Sequence, residues 1–199
     1  MNLPNRLTLF RAILAPVFMF ALLAEFRFHY LVSLVIFIVA SITDLLDGKI
    51  AREQGKVTDF GKFLDPLADK MLTTAAFLGF IPLKIGAGAV IMAFIVIFRE
   101  FAVSSIRLVA VSSGGKVIAA SIWGKLKTVF QMIAIIFALT AKEAIEVLTL
   151  IGVKAETVGV IGGWTDIATT ILLWVSTFLC VISGVIYFKE YKSFVKETK

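Results

Sequence analysis

Residues 44–69 read DLLDGKIAREQGKVTDFGKFLDPLAD, and four of the five aspartates in that run, Asp44, Asp47, Asp65 and Asp69, constrain how everything around them folds. They stand in a 199-residue chain that is 59% hydrophobic, with a mean hydropathy of +0.97, whereas a soluble domain runs at roughly 45–50%. A carboxylate at bilayer depth costs roughly 2.5–3.5 kcal/mol on insertion scales. Four of them in adjacent segments need a shared partner, and a divalent cation meets that need with oxygen ligands alone.

On either side of this run, apolar stretches at Leu7–Leu23, Tyr30–Thr43, Met71–Leu83, Ile85–Phe98, Thr128–Ala141 and Ile167–Phe188 give six candidate spans. A span needs about 20 residues. The second stretch reaches that length only by running on through Asp44 to Ala51, and the third only by starting near Asp59. The fourth must absorb Arg99, Glu100 and Arg107, and the fifth starts beside Lys125 and Lys127. The expected fold is therefore an all-α integral membrane protein, with the aspartates on helix ends inside the membrane boundary. A single domain spans 1–199, with an interfacial start at 1–6 and a cytoplasmic tail at 189–199. Asn2 or Asn5 with Pro4 suits a helix start. The segment Lys142–Trp164 reads as an interfacial helix and loop on the outer side.

The chain carries 20 Lys and Arg against 14 Asp and Glu, a net charge of +6. The cations cluster in alternate connections: Arg6 and Arg11, then Lys49, Arg52 and Lys56, then Lys116, Lys125 and Lys127, and finally Lys189 to Lys199. That alternation follows the positive-inside rule and does not call for a nucleic-acid partner. It places both termini and the aspartate run at the cytoplasmic face of a multi-pass cell-membrane protein, in contact with membrane lipids. The first apolar run holds Arg11 and lacks a small-residue cleavage pattern, so it reads as a retained helix and not as a signal peptide. Cys180 is alone, which excludes an intramolecular disulfide and leaves a packing or lipid-facing thiol. His29 is alone too, and is expected in an exposed loop and not as a zinc ligand.

On helices, Asp44 and Asp47 are spaced i, i+3 and Asp65 and Asp69 are spaced i, i+4, so each pair shares a face of its own helix. Two such faces brought together make an oxygen-only cage. Hard cations follow: Mg²⁺, with Mn²⁺ as a substitute and Ca²⁺ as an inhibitor. Gly48, Ala51 and Gly61 keep the neighbourhood small enough for close helix packing or close approach of a ligand. Arg52, one turn past Gly48, reaches a phosphate, pairs with an aspartate, or anchors the span end. The competing reading pairs the acids with Lys49, Arg52, Lys62 and Lys70, but it requires several buried bridges and does not account for the spacings.

This run resembles the signature of the CDP-alcohol phosphotransferase family, with every signature residue and spacing present. The resemblance implies six transmembrane helices in a homodimer, a polar cavity open to the cytoplasm, and two metal ions held by the aspartates. It implies displacement of CMP from a CDP-linked lipid or alcohol by an incoming hydroxyl. Carried onto this chain, Asp44, Asp47 and Asp65 are expected metal ligands, with Asp69 near the metal and acting as general base. Nucleotide and diphosphate contacts are expected from Asp44, Asp47, Gly48, Ala51, Arg52, Thr58, Gly61 and Asp65.

The signature fixes the reaction and not the acceptor. Beyond it, NLPNRLTLFRAILAP (2–16), FREFAVSSIRLVA (98–110) and IAASIWGKLKTVFQM (118–132) resemble the branch that joins CDP-diacylglycerol to sn-glycerol 3-phosphate. That acceptor carries about two negative charges, so its pocket calls for cations that the diphosphate does not use. Arg107, Lys125 and Lys127 are the candidates, with Arg99 deeper in its span. Asn5, Thr8 and Arg11 share a face of the first helix as headgroup contacts or as packing residues. Serine or inositol phosphate as acceptor is the alternative within the class. A divalent-cation transporter and a catalytically silent lipid-binding scaffold are the alternatives outside it.

Overall fold

The computed structural model describes residues 3–54, 59–112 and 122–197, with side chains described for 8–44, 68, 70–106 and 122–191. Within them the chain forms six helices: α1 (Leu3–Leu23), α2 (His29–Gln54), α3 (Asp59–Phe80), α4 (Ala89–Ser112), α5 (Ile122–Leu150) and α6 (Ala155–Glu197). The length argument from the sequence holds. α2 runs past Asp44 and Asp47, α3 starts at Asp59, and α4 carries Arg99, Glu100 and Arg107 within one helix. Their backbone amides are satisfied inside each helix, which is the condition for crossing lipid.

Packing closes the helices into a ring. α1 lies against α2 and α3, α2 against α5, α5 against α6, α6 against α4, and α4 against α3, with lighter contacts of α3 to α2 and α5. The inside of the ring is apolar at its middle, where Phe18, Phe37, Phe77, Phe80, Ile135 and Leu139 are sealed from solvent. The outside carries large apolar side chains as well, with Phe20 at 75% and Phe94 at 69% exposure. A soluble protein does not spread such side chains over its surface; lipid covers them. α4 and α6 are long and apolar enough on their own to cross a membrane, while α1 and α2 hold the shorter apolar stretches Thr8–Leu23 and His29–Asp44. With 43 residues α6 extends about 65 Å at 1.5 Å per residue, more than twice a hydrocarbon core.

At the end opposite the aspartates, the connections are tied to α5 and α6. The α3 C-terminus closes with a Schellman pattern: Ile85 N donates to Phe80 O at 2.9 Å and Lys84 N to Ile81 O at 3.1 Å. Lys84 takes the left-handed position at φ 53°. The next turn is clamped by α6, where Thr170 Oγ1 accepts from Ala87 N at 3.1 Å and Trp174 Nε1 donates to Ala87 O at 3.0 Å. Gly86 in this turn has φ 81°, and a Cβ there would lie 2.7 Å from Leu173 Cδ1. Leu173 is 1% exposed and has no room to retreat. Gly86→Ala should therefore lower thermal stability by about 1–3 kcal/mol, since it combines strain with overpacking. A melting curve indistinguishable from the parent's would refute this.

Three sequence expectations change here. The segment Lys142–Trp164 is not a separate interfacial helix and loop. α5 continues to Leu150, and α6 begins at Ala155 after a turn in which Gly152 has φ 78°. Charged residues of that segment serve the bundle: Glu143 Oε2 accepts from Leu31 N at 2.9 Å, capping the start of α2, and Lys142 pairs with Asp166 of α6 at 2.8 Å. A carboxylate at a helix N-terminus satisfies free amides and opposes the dipole.

His29 is not an exposed loop residue. It opens α2 with its side chain 12% exposed, donates from Nδ1 to Leu22 O at 3.0 Å and faces Glu146 at 3.4 Å. It closes the carbonyl end of α1, a capping use that a lone histidine does not advertise. The tail expected after Phe188 is the helical continuation of α6 to Glu197. Cys180, at 0% exposure, packs in the core and does not face lipid.

Candidate active site

Every helix contributes to a cavity of about 490 Å³ at the end of the ring where Asp44 lies. α1 supplies Arg11 and α2 supplies Asp44. Lys70 comes from α3, Arg99 and Glu100 from α4, Lys125, Lys127 and Gln131 from α5, and Ser183 and Tyr187 from α6. The described lining holds five cations and two carboxylates. Among the described residues, such an excess of positive charge in a partly desolvated cleft suits an anion.

Glu100 organises these cations. It is 7% exposed and forms ion pairs with three of them: Lys127, Arg99 Nη1 at 3.1 Å and Lys70 at 3.8 Å. Lys70 also donates to Ser104 Oγ, and Arg99 Nη2 donates to Ser183 Oγ at 2.7 Å. Gly184 makes the last contact possible, since a Cβ there would stand 3.0 Å from Arg99 Cγ. α3, α4, α5 and α6 are thereby joined at one point by side chains that remain on the cavity wall. A carboxylate surrounded by three cations leaves net positive charge for a ligand, while sparing the bundle the repulsion of three bare cations.

Arg11 grips Asp44. The Arg11 side chain is 4% exposed and pairs with Asp44 Oδ1, and the Asp44 side chain itself is 42% exposed. The sequence reading left Arg11 as a headgroup contact or a packing residue; in the structure it is buried against the first aspartate of the run. Thr8 is also buried, at 1%. The expected acceptor cations Arg99, Lys125 and Lys127 all line the cavity, with Lys125 exposed at its rim. Asp47, Gly48, Ala51, Arg52, Gly61, Asp65 and Asp69 fall on α2 and α3, and Arg107 on α4, but their side chains lie outside the described residues, as does that of Asn5. Thr58 lies outside them altogether.

The sequence model of the family described as CDP-alcohol phosphatidyltransferase matches residues 1–186. The chain belongs to that family. Among curated relatives, a CDP-diacylglycerol--glycerol-3-phosphate 3-phosphatidyltransferase of Bacillus subtilis (strain 168) is 38% identical over 95% of this chain and 94% of its own length. One of the same name from Rickettsia felis is 36% identical over 97% of each chain. A probable phosphatidylglycerophosphate synthase of Mycobacterium tuberculosis is 39% identical over 77% of this chain and 74% of its own length. The match takes in the run at residues 44–69, and the cavity beside Asp44 is the candidate active site of this CDP-alcohol phosphatidyltransferase.

Lys70, Gln131, Ser183 and Tyr187 were not singled out from the sequence as site residues. Two signals pointed to some of them. Lys70 directly follows Asp69, and Gln131 stands one helical turn beyond Lys127, so a cation and an amide share one face at the start of a long apolar stretch. Ser183 and Tyr187 carry no such signal within the long apolar α6.

Proposed function

We propose that this enzyme transfers the phosphatidyl group of CDP-diacylglycerol to sn-glycerol 3-phosphate, giving phosphatidylglycerophosphate and CMP, as one step in making phosphatidylglycerol and cardiolipin. The observation that carries this reading is the cluster of Lys70, Arg99 and Lys127 around Glu100, in the same cavity as the first signature aspartate. A phosphate dianion suits that cluster. Zwitterionic serine does not require such an excess of cations, and a divalent-cation pathway would be opposed by it.

In the proposed reaction the acceptor's phosphate is held by Lys127, Arg99 and Lys70, with Lys125 at the mouth drawing it in. Asp69 takes the proton from the attacking hydroxyl. The new bond forms between that oxygen and the diacylglycerol-linked phosphorus, the diphosphate bridge breaks, and CMP leaves with the bridging oxygen. Asp44 offers only carboxylate oxygens to the cavity, a donor type suited to a hard cation, and Asp47, Asp65 and Asp69 would complete the set. These carboxylates would hold Mg²⁺, with Mn²⁺ as a substitute and two ions in all, which would supply charge to neutralise the diphosphate and the leaving group. Arg11 holds Asp44 by one oxygen, fixing its direction, as outer partners of metal ligands do. Gly48, Ala51, Arg52 and Gly61 contact the nucleotide in this reading. The cavity end faces the cytoplasm, where both termini and the cation-rich connections lie, and the enzyme works as a pair of copies.

The test offers purified protein CDP-diacylglycerol with sn-glycerol 3-phosphate, serine or inositol phosphate in turn, and measures CMP. Release with glycerol 3-phosphate, lost on chelation and restored by Mg²⁺, is the expected result. Release with serine alone would reject the acceptor, and undiminished turnover after chelation would reject the metal.

A further inference from the structure

Gln131 is buried at 2% exposure, lines the cavity, and its Nε2 makes no hydrogen bond among the described residues. A sealed amide donor without a partner is costly, and natural interiors retain few of them. Packing gives no reason for it, because an apolar side chain of similar size would fill the same space without that cost. The neighbouring residues of α5 on the same face supply one. Lys127 stands one turn earlier and reaches Glu100, so a cation and a neutral amide project side by side, about 5–6 Å apart at Cβ. We propose that Gln131 is a specificity-determining residue, whose amide recognises the non-reacting C2 hydroxyl of a short phosphorylated polyol whose phosphate sits at Lys127, Arg99 and Lys70.

This rests on the acceptor reading given above and goes beyond it, by assigning the part of the acceptor that cations do not read. The chemistry matches on three counts. The acceptor is a few ångströms long, so a hydroxyl next to the phosphate-bearing carbon falls within reach of the next helical turn. The group is neutral, and so is its partner, so the amide adds no charge to a cluster whose cations are taken up by the phosphate. A hydroxyl both donates and accepts, so either end of the amide engages it and the recognition does not depend on which way the amide is turned. A site with a buried polar group built for a substrate hydroxyl discriminates strongly against an analogue lacking it, because the protein group is then left unpaired.

The experiment compares sn-glycerol 3-phosphate with 3-hydroxypropyl phosphate, which keeps the phosphate and the reacting hydroxyl and lacks the C2 hydroxyl. The parent enzyme should prefer glycerol 3-phosphate by at least about tenfold in kcat/KM. Gln131→Leu should abolish that preference, chiefly by raising KM for glycerol 3-phosphate, while turnover of the analogue stays within about twofold of the parent. Gln131→Asn keeps the amide but withdraws it by a methylene, and should weaken the preference in the same direction; it provides the comparison if leucine disturbs folding. A purely structural role would reduce both substrates alike and leave their ratio unchanged, which overturns the proposal. CMP release from neither acceptor by the parent enzyme would overturn the proposed function itself, and the two failures are distinct.

Discussion

Asp69→Asn is expected to cut CMP release from CDP-diacylglycerol and glycerol 3-phosphate by at least about a hundredfold while the protein still folds and melts like the parent. The change exchanges one oxygen for an NH2 at constant shape, so it removes a proton acceptor without opening a cavity. Asp69 lies on α3 between Ala68, which is fully buried, and Lys70, which lines the cavity and is tied to Ser104 and Glu100. α3 is thus held in place on both sides of the substituted residue by contacts that the substitution does not touch. Loss of the base and weakened metal binding are separated by titration. If the carboxylate is needed to take the acceptor's proton, raising Mg²⁺ tenfold does not restore turnover, whereas a defect confined to metal affinity recovers. Near-parental turnover in Asp69→Asn would remove the general base from the mechanism.

What the sequence disclosed and what it concealed divide along the range of the interactions. Helix ends were legible because they follow from local length and charge: α2 had to carry Asp44 inward, and α4 had to swallow Arg99 and Glu100, simply to reach a bilayer's width. The signature was legible because its spacings are intrahelical. The cation cluster was only half legible. Arg99, Lys125 and Lys127 were identifiable as the cations a phosphorylated acceptor calls for, but Glu100 gathers its ion pairs from α3, α4 and α5, and no spacing along one helix reveals that.

The pair Arg11 and Asp44 is of the same kind, formed between residues 33 positions apart across the α1–α2 contact. The far end of the bundle was misread for a related reason. Glycines and acids at 142–164 look like loop chemistry in isolation, and become helical once Glu143 has the start of α2 to cap and α6 has α5 to lie against. Tertiary context overrode local propensity there.

Glu100→Gln is expected to destabilise the protein by about 3–5 kcal/mol, the usual cost of removing one partner from a buried ion pair. At the usual scaling for a chain of this size, that lowers the melting temperature by on the order of 10 °C. The carboxylate is the shared counter-ion of Lys127, Arg99 and Lys70, whose side chains are 9%, 13% and 26% exposed, so all three are left facing one another in a poorly solvated cleft. An anion from solution can then occupy the space. Inorganic phosphate should raise the melting temperature of Glu100→Gln more than that of the parent, because in the variant it meets three cations with no counter-ion and in the parent three cations that already share one carboxylate. A double variant, Glu100→Gln with Lys127→Met, should recover part of the lost stability, since the closest unpaired cation is gone, and the cycle isolates that pair. Equal phosphate stabilisation of parent and variant would mean that the three cations do not form one anion site. The acceptor's phosphate would then have to bind elsewhere, and Glu100 would be reduced to a strut between helices.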